Sequence, residues 1–306
     1  AWAPDLSWLI LGRSLQGAGA ISAAVTALLA DTTRDEVRTK AMALVGASIG
    51  LMFALSLVLA PVLTAHIGLA GLFALTGALA LAGIAVVVWW VPPEPVQHVN
   101  RPRGSLAEVL KHPALLRLDV GVFILHAVQL AMWVAIPALL VQAGLASNSH
   151  WQVYLPAVLA SFLVMGLTLF PLEKRGYLRA VFLLAVGLIA LVQFGLMAAS
   201  LQDTPSLAGL GALLFLFFCG FNVLEASQPS LASRVAPVHS RGAALGVYNT
   251  LQSLGFFAGG ALGGWLAKTA GSQALFAACG GLMLLWLVIA WPMRAPGRRL
   301  AAVQPA

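Results

Sequence analysis

Charge is scarce in this chain. Lys, Arg, Asp and Glu make up 9% of its 306 residues, against roughly 25% in a soluble domain, so no water-facing shell can be built around the 60% that is hydrophobic. Cysteine is scarcer still: Cys219 and Cys279 both fall within apolar stretches and cannot form a disulfide framework. Six histidines (His66, His98, His112, His126, His150 and His239) are scattered without metal-ligand spacing. There is no H-E-x-x-H pair, no glycine-rich phosphate loop ending in Lys and no nucleophile elbow. These absences argue against an enzyme and against ATP-driven work, and we expect neither a metal nor an organic cofactor.

What is abundant is apolar sequence, with a mean hydropathy of +0.94. Nine stretches of roughly 20 to 27 residues are each long enough, at about 1.5 Å per residue, to span a hydrocarbon core of about 30 Å. They run near Trp8 to Ala30, Ala41 to His66, Leu69 to Val91, Leu118 to Ala143, His150 to Leu172, Ala180 to Ser200, Ser206 to Ala232, Gly242 to Ala267 and Gln273 to Met293. Fifteen of the seventeen Lys and Arg residues sit in every second gap: Arg34, Arg38 and Lys40; Arg101, Arg103, Lys111 and Arg117; Lys174, Arg175 and Arg179; Arg234 and Arg241; Arg294, Arg298 and Arg299. Those gaps are predicted to face the cytoplasm, with the C-terminal tail among them. The net charge of +7 is therefore dispersed over orientation loops rather than gathered for nucleic acid.

The chain begins at Ala1 with an apolar segment of full spanning length, so a cleavable signal peptide is not expected there. With the N-terminal end outside and the tail inside, the helix number is odd, whereas transporters built from repeats have an even total. An odd number of upstream helices is the expectation. The proline-rich polar connection from Pro92 to Arg117 divides three helices from six, suggesting a partial N-terminal half (1–91), a linker (92–117) and a C-terminal half (118–306). A weak internal similarity supports two related halves: Leu29 to Gly50 and Leu231 to Gly255 each run from a helix through a short basic loop into a glycine-dotted helix. Small residues suited to close helix packing recur, among them Gly46 and Gly50, and Gly255, Gly259, Gly260, Gly263 and Gly264.

Ionisable groups at membrane depth cost at least about 2.5 to 3.5 kcal/mol each on insertion scales, so each is a functional candidate. Arg13 lies inside the first span, with Gln16 and Gly17 on the same face; a structural cation paired with a carbonyl is the alternative. His126, in the fourth span, shares a face with Gln129 and Trp133; a hydrogen-bonded core histidine is the alternative. Glu225, in the seventh, is read as the only carboxylate well inside any span. Both His126 and Glu225 fall roughly 10 to 12 Å in from the cytoplasmic side, so they can meet at one depth and exchange a proton. Asp31, at the end of the first span, is a candidate conformational latch together with Arg38, in a mixed-charge loop that is otherwise read as solvated. Gln129, Trp133, Asn222, Tyr248 and Gln252, with Gln193, are candidate cavity-lining groups or simply helix packing.

The run Leu9-Ile10-Leu11-Gly12-Arg13-Ser14-Leu15-Gln16-Gly17-Ala18-Gly19-Ala20 resembles motif B of the major facilitator superfamily, found in the fourth helix of its twelve-helix drug/proton antiporters. The stretch from Ile10 to Pro61, with Leu125-His126, Phe221-Asn222 through Glu225-Ala226 and Gly246-Val247-Tyr248, looks most like the YajR-type exporters. The resemblance implies that the nine spans are equivalent to helices four to twelve of an all-α fold. It also implies that Arg13, with Gln16, Gly17 and Gly19, takes part in proton transfer, that Asp31 meets a basic loop between helices two and three, and that the spans carrying Arg13, His126 and Glu225 line the central cavity. Gly46, Gly50 and Pro61 look like the antiporter motif C, although Ala60 stands before Pro61 where that motif has Gly. The expected activity is proton-coupled export of a small amphiphilic molecule, by a monomer in the bacterial inner membrane whose partners are lipid, substrate and protons. Uptake of a sugar or metabolite, and a truncated protein that does not transport, are the alternatives.

Overall fold

The computed structural model describes residues 3–18, 22–91 and 106–293. The helices are α1 (Leu6–Ala18), α2 (Ser22–Thr32), α3 (Asp35–Trp90), α4 (Leu106–Leu110), α5 (Pro113–Gln142), α6 (Trp151–Lys174), α7 (Leu178–Ala199), α8 (Leu207–Val235) and α9 (Arg241–Ala290). The described residues are all-helical apart from their connections, as a chain in lipid must be if each backbone N–H and C=O is to find a partner within its own segment. Two predicted pairs of spans appear as single long helices bent at a glycine. Gly68 (φ 68°) divides α3 and Gly271 (φ 82°) divides α9. Both lie in the left-handed region that other residues seldom adopt, so the chain reverses there without a polar loop. Among the described residues six helices are long and apolar enough to cross a membrane, the bent α9 counted once; the first predicted span includes residues 19–21, which lie outside the described residues.

Local signals start the helices. Pro113 at the first position of α5 gives up no hydrogen bond, and His112 caps it by accepting from the Leu115 N–H at 3.4 Å. Ser206 caps α8 through Gly209 at 3.3 Å. Arg179 ties the start of α7 to the end of α9, donating from Nε to the Met293 carbonyl at 2.8 Å.

Helix α5 is the axis of the bundle. On one side it lies parallel to the first limb of α9, where Gly255, Gly259 and Gly263 face Phe123, Ala127 and Ala131. A Cβ at Gly259 would fall 2.2 Å from the Ala127 carbonyl oxygen, and one at Gly255 2.5 Å from that of Phe123. In lipid, where no hydrophobic force draws helices together, such backbone approach supplies the packing. On the other side Gly121 abuts Trp286, which stands edge-on to Phe182 at 5.9 Å in the core between α5, α7 and α9. By contrast α1 and the second limb of α3 are largely exposed, with Trp8, Ile10, Leu81, Trp89 and Trp90 facing outward. Only α2 and the first limb of α3 pack against α6, α8 and α9.

Helix α4 is docked on the basic-loop end. Val109 is buried with Leu115, Ala236 and Ala244, while Glu108 accepts from Ser240 Oγ at 2.7 Å and from His239 Nε2 at 3.1 Å. The Ser240 hydroxyl, then His239, hold the Glu108 carboxyl below its ordinary value. A depressed value means that this clasp is in force above the unfolded-state value of 4.5 and is lost as pH falls through the lower folded one. Hydrogen exchange at Leu106–Leu110, corrected for the intrinsic pH effect, should accelerate on that acidification, and Glu108→Gln should flatten the response. For the α5–α9 seam, Gly259→Val should cost at least about 2 kcal/mol in detergent unfolding. Gly264→Ala, with open space at its Cβ position, should stay within about 0.5 kcal/mol; equal melting of the two variants would contradict this account of the seam.

Candidate functional site

The sequence-predicted pair meets. His126 on α5 is 1% exposed, and its Nε2 lies 2.9 Å from Oε1 of Glu225 on α8. The other ring nitrogen, Nδ1, is 2.8 Å from the Val122 carbonyl, which only accepts, so Nδ1 carries a hydrogen. Gln252 on α9 places its Nε2 2.8 Å from His126 Nε2, along the ring's hydrogen-bonding direction. Glu225 Oε1 is at ion-pair distance but off that direction, and it has no hydrogen-bond partner. Phe256 and Phe221 stand edge-on to the ring at 4.7 and 5.9 Å, and a Cβ added at Gly46 of α3 would lie 4.0 Å from the Glu225 Cβ. The carboxylate therefore sits where α3 meets the six downstream spans.

This geometry accommodates two protonation states. In a neutral ring, Nε2 accepts from the Gln252 amide, and Glu225 gains nothing unless it is itself protonated. When Nε2 is protonated it becomes a donor, so Gln252 must turn its carboxamide oxygen inward, and Glu225 beside it balances the imidazolium charge. A proton on Nε2 would thus alter the hydrogen bonding of side chains on three helices.

A second polar cluster closes the basic-loop end. Thr39, near the start of α3, donates to Glu173 Oε1 at 2.7 Å and lies 2.8 Å from Ser230 Oγ. Arg234 Nη2 donates to Thr39 Oγ1 at 2.6 Å and to Glu173 Oε1 at 2.7 Å. With its hydrogen given to Glu173, the Thr39 hydroxyl accepts from both Ser230 and Arg234, which fills its capacity. Helices α3, α6 and α8 are joined at this point. None of these four residues was singled out from the sequence: each lies at a helix end, where a polar residue reads as solvated.

Of the expected latch, Arg38 is buried and donates from Nη2 to the carbonyls of Ala30 and Thr33, both at 2.9 Å. Arg241 Nε reaches the Ser233 carbonyl at 3.0 Å in the same way. Each arginine reaches back eight residues to a helix end, so the weak sequence repeat is also a structural one. The side chain of Asp31 lies outside the described residues, as do that of Pro61 and the whole of Gly19. Gly50 meets Phe162 of α6, and Gly17 has open space around it. Arg13 is exposed, bonded to Gln16 Oε1 at 2.7 Å, and lines a groove of about 390 Å³ between α1 and the second limb of α3. It is not brought to His126 and Glu225 in this arrangement.

The predicted cavity residues divide. Asn222 donates to Ser161 Oγ at 2.8 Å, Trp133 packs edge-on against Tyr154 at 4.9 Å, and Tyr248 is buried. Gln129 keeps an unpartnered Oε1. Gln193 is not a lining residue: it is fully buried in the core, donating to Met132 Sδ at 3.5 Å. A further correction concerns the carboxylates. Glu225 is not alone inside the spans, because α5 begins at Pro113 rather than near Leu118, which leaves Asp119 two turns within it and 2% exposed. The His112-Pro113 start signal marks that boundary in the sequence; the basic Arg117 obscured it.

The Major Facilitator Superfamily profile matches residues 1–260. The chain belongs to the major facilitator superfamily. It is 41% identical over 297 residues, 95% of its length, to the inner membrane transport protein YajR of Escherichia coli (strain K12), of which it spans 64%. It is 30% identical over 256 residues to an uncharacterised transporter of Buchnera aphidicola subsp. Acyrthosiphon pisum (strain APS), spanning 65% of that protein. Among solved structures, the human organic anion transporter MFSD10 (TETRAN) shares the fold, with a TM-score of 0.64 at 20% identity over 87% of this chain and 66% of that one. The family expected from the sequence is thereby shown, and the chain's described residues form an all-helical fold of that superfamily.

If the Thr39 cluster acts as a unit, Glu173→Gln and Arg234→Met should be non-additive. A double-mutant cycle on unfolding in mixed micelles should give a coupling of at least about 1 kcal/mol; additive losses would mean that the contacts are incidental.

Proposed function

We propose that the chain acts in a proton-coupled secondary transporter that exports a small amphiphilic molecule by alternating access. The observation that carries this reading is the meeting of buried His126 with half-buried Glu225 and Gln252, which joins α5, α8 and α9 beside the α3 contact. Glu225 is the main protonation site and His126 modulates it. Gly46 and Gly50 permit close approach of α3, and the Thr39, Glu173 and Arg234 cluster holds the basic-loop end shut in this arrangement. That end is the cytoplasmic one by the distribution of Lys and Arg, in an inner membrane as for the Escherichia coli relative. The sparse polar lining, with Gln129 and Asn222 among largely aromatic neighbours, favours an amphiphile over a sugar. In the complete carrier, as the resemblance implies, Arg13 joins the proton path and Asp31 meets a basic loop.

The test is dye export from proteoliposomes under an imposed proton gradient, using amphiphilic cations such as ethidium, with a hexose as the contrasting cargo. Glu225→Gln should lower gradient-driven export at least about tenfold, equivalent to about 1.4 kcal/mol, and Gln252→Ala should displace its pH dependence. Export by Glu225→Gln with an unaltered pH profile would sink the proposal, and hexose movement in place of dye would favour uptake.

A further inference from the structure

Asp119 is the one buried carboxylate that the His126 and Glu225 cluster does not use. It is 2% exposed, and its Oδ2 has no hydrogen-bond partner. Unlike a surface acid it cannot recover its hydration, and a buried carboxylate with no donor opposite is among the costliest groups a helix bundle can hold. Its position is also specific. Asp119, Val122 and His126 occupy positions i, i+3 and i+7 of α5, so they form one stripe, with Asp119 about 10 Å nearer the basic-loop end than His126. The backbone carbonyl of Val122, between them, is the acceptor for His126 Nδ1. From α9, Tyr248 is buried as well.

We propose that Asp119 is a second proton-binding site, through which the inner cluster exchanges protons with the basic-loop side of the membrane. Along α5 the titratable and charged groups near it are Arg117 and His126, with the capping His112 at the helix start; Glu108 of α4 is already engaged by Ser240 and His239. A proton is the ligand that fits: a metal cation would need several oxygen ligands, whereas one proton suffices to neutralise an unpaired carboxylate. The use made of that proton rests on the proton-coupled reading; its binding at Asp119 does not.

Infrared difference spectra of the protein in lipid nanodiscs, recorded between acidic and alkaline buffers, test this directly through the C=O stretch of protonated carboxyl groups. Labelling with carboxyl-¹³C aspartate separates Asp from Glu without mutation. A label-shifted band that titrates reversibly is expected. It should vanish in Asp119→Asn, with one proton fewer taken up, and return without the label shift in Asp119→Glu. A titrating Asp band that persists unchanged in Asp119→Asn, or the absence of any such band, would overturn the assignment. Loss of dye export in Glu225→Gln is a separate readout, so a titrating Asp119 beside a Glu225 that does not titrate would defeat the transport mechanism and leave this site standing.

Discussion

Hydrocarbon offers no partner to a polar group, and the structure is organised by that constraint. Backbone donors and acceptors are closed within helices, and where a helix must end at the rim the exposed carbonyls are met by an arginine eight residues on, Arg38 in one half and Arg241 in the other. Of the few polar side chains that remain inside, some are paired, as Asn222 with Ser161, while others, such as Gln228 and Asp119 Oδ2, have no hydrogen-bond partner. An unpaired carboxylate in this setting is therefore a site that can take up a proton rather than a local imperfection.

Proton sensitivity and helix contact are joined by geometry. Glu225 lies beside Gly46, so a change in its charge would fall at the contact between α3 and the downstream helices. His126 is fixed by Val122 at one nitrogen and shared by Gln252 and Glu225 at the other, which leaves it no neutral arrangement that satisfies all its neighbours equally. Rigid seams give such a change leverage. The glycines of α9 lock it to α5 at backbone distance, so a displacement at Gln252 or Tyr248 is carried by the whole limb rather than absorbed by side chains.

Much of this was legible in the sequence. Span length and the alternation of basic gaps reported the helices, because hydrophobic length and loop charge are local quantities. The meeting of His126 and Glu225 was legible from depth alone, since a helix rises by a constant step. Asp119 was missed because Arg117, two residues away, placed the span boundary too late, while the capping His112 and Pro113 marked the true start. The Thr39, Ser230, Glu173 and Arg234 cluster left no signal, because each residue reads as an ordinary helix end until three helices are brought together. The glycines of α9 looked alike in sequence, yet Gly259 meets a backbone carbonyl and Gly264 meets nothing.

The sequence by itself determined that the chain crosses a membrane repeatedly, in which direction its loops are biased, and which rare polar residues are candidates for burial, all consequences of the cost of moving individual groups into lipid. Tertiary structure alone decided which of those groups are buried and satisfied: that Gln193 is core, that Arg13 is exposed and stands apart from the inner cluster, and that Asp119 Oδ2 has no partner. Burial cost is a property of one residue and its depth. Pairing depends on the rotation and register of two helices, and the apolar pattern of a helix enclosed on most sides leaves that rotation undetermined.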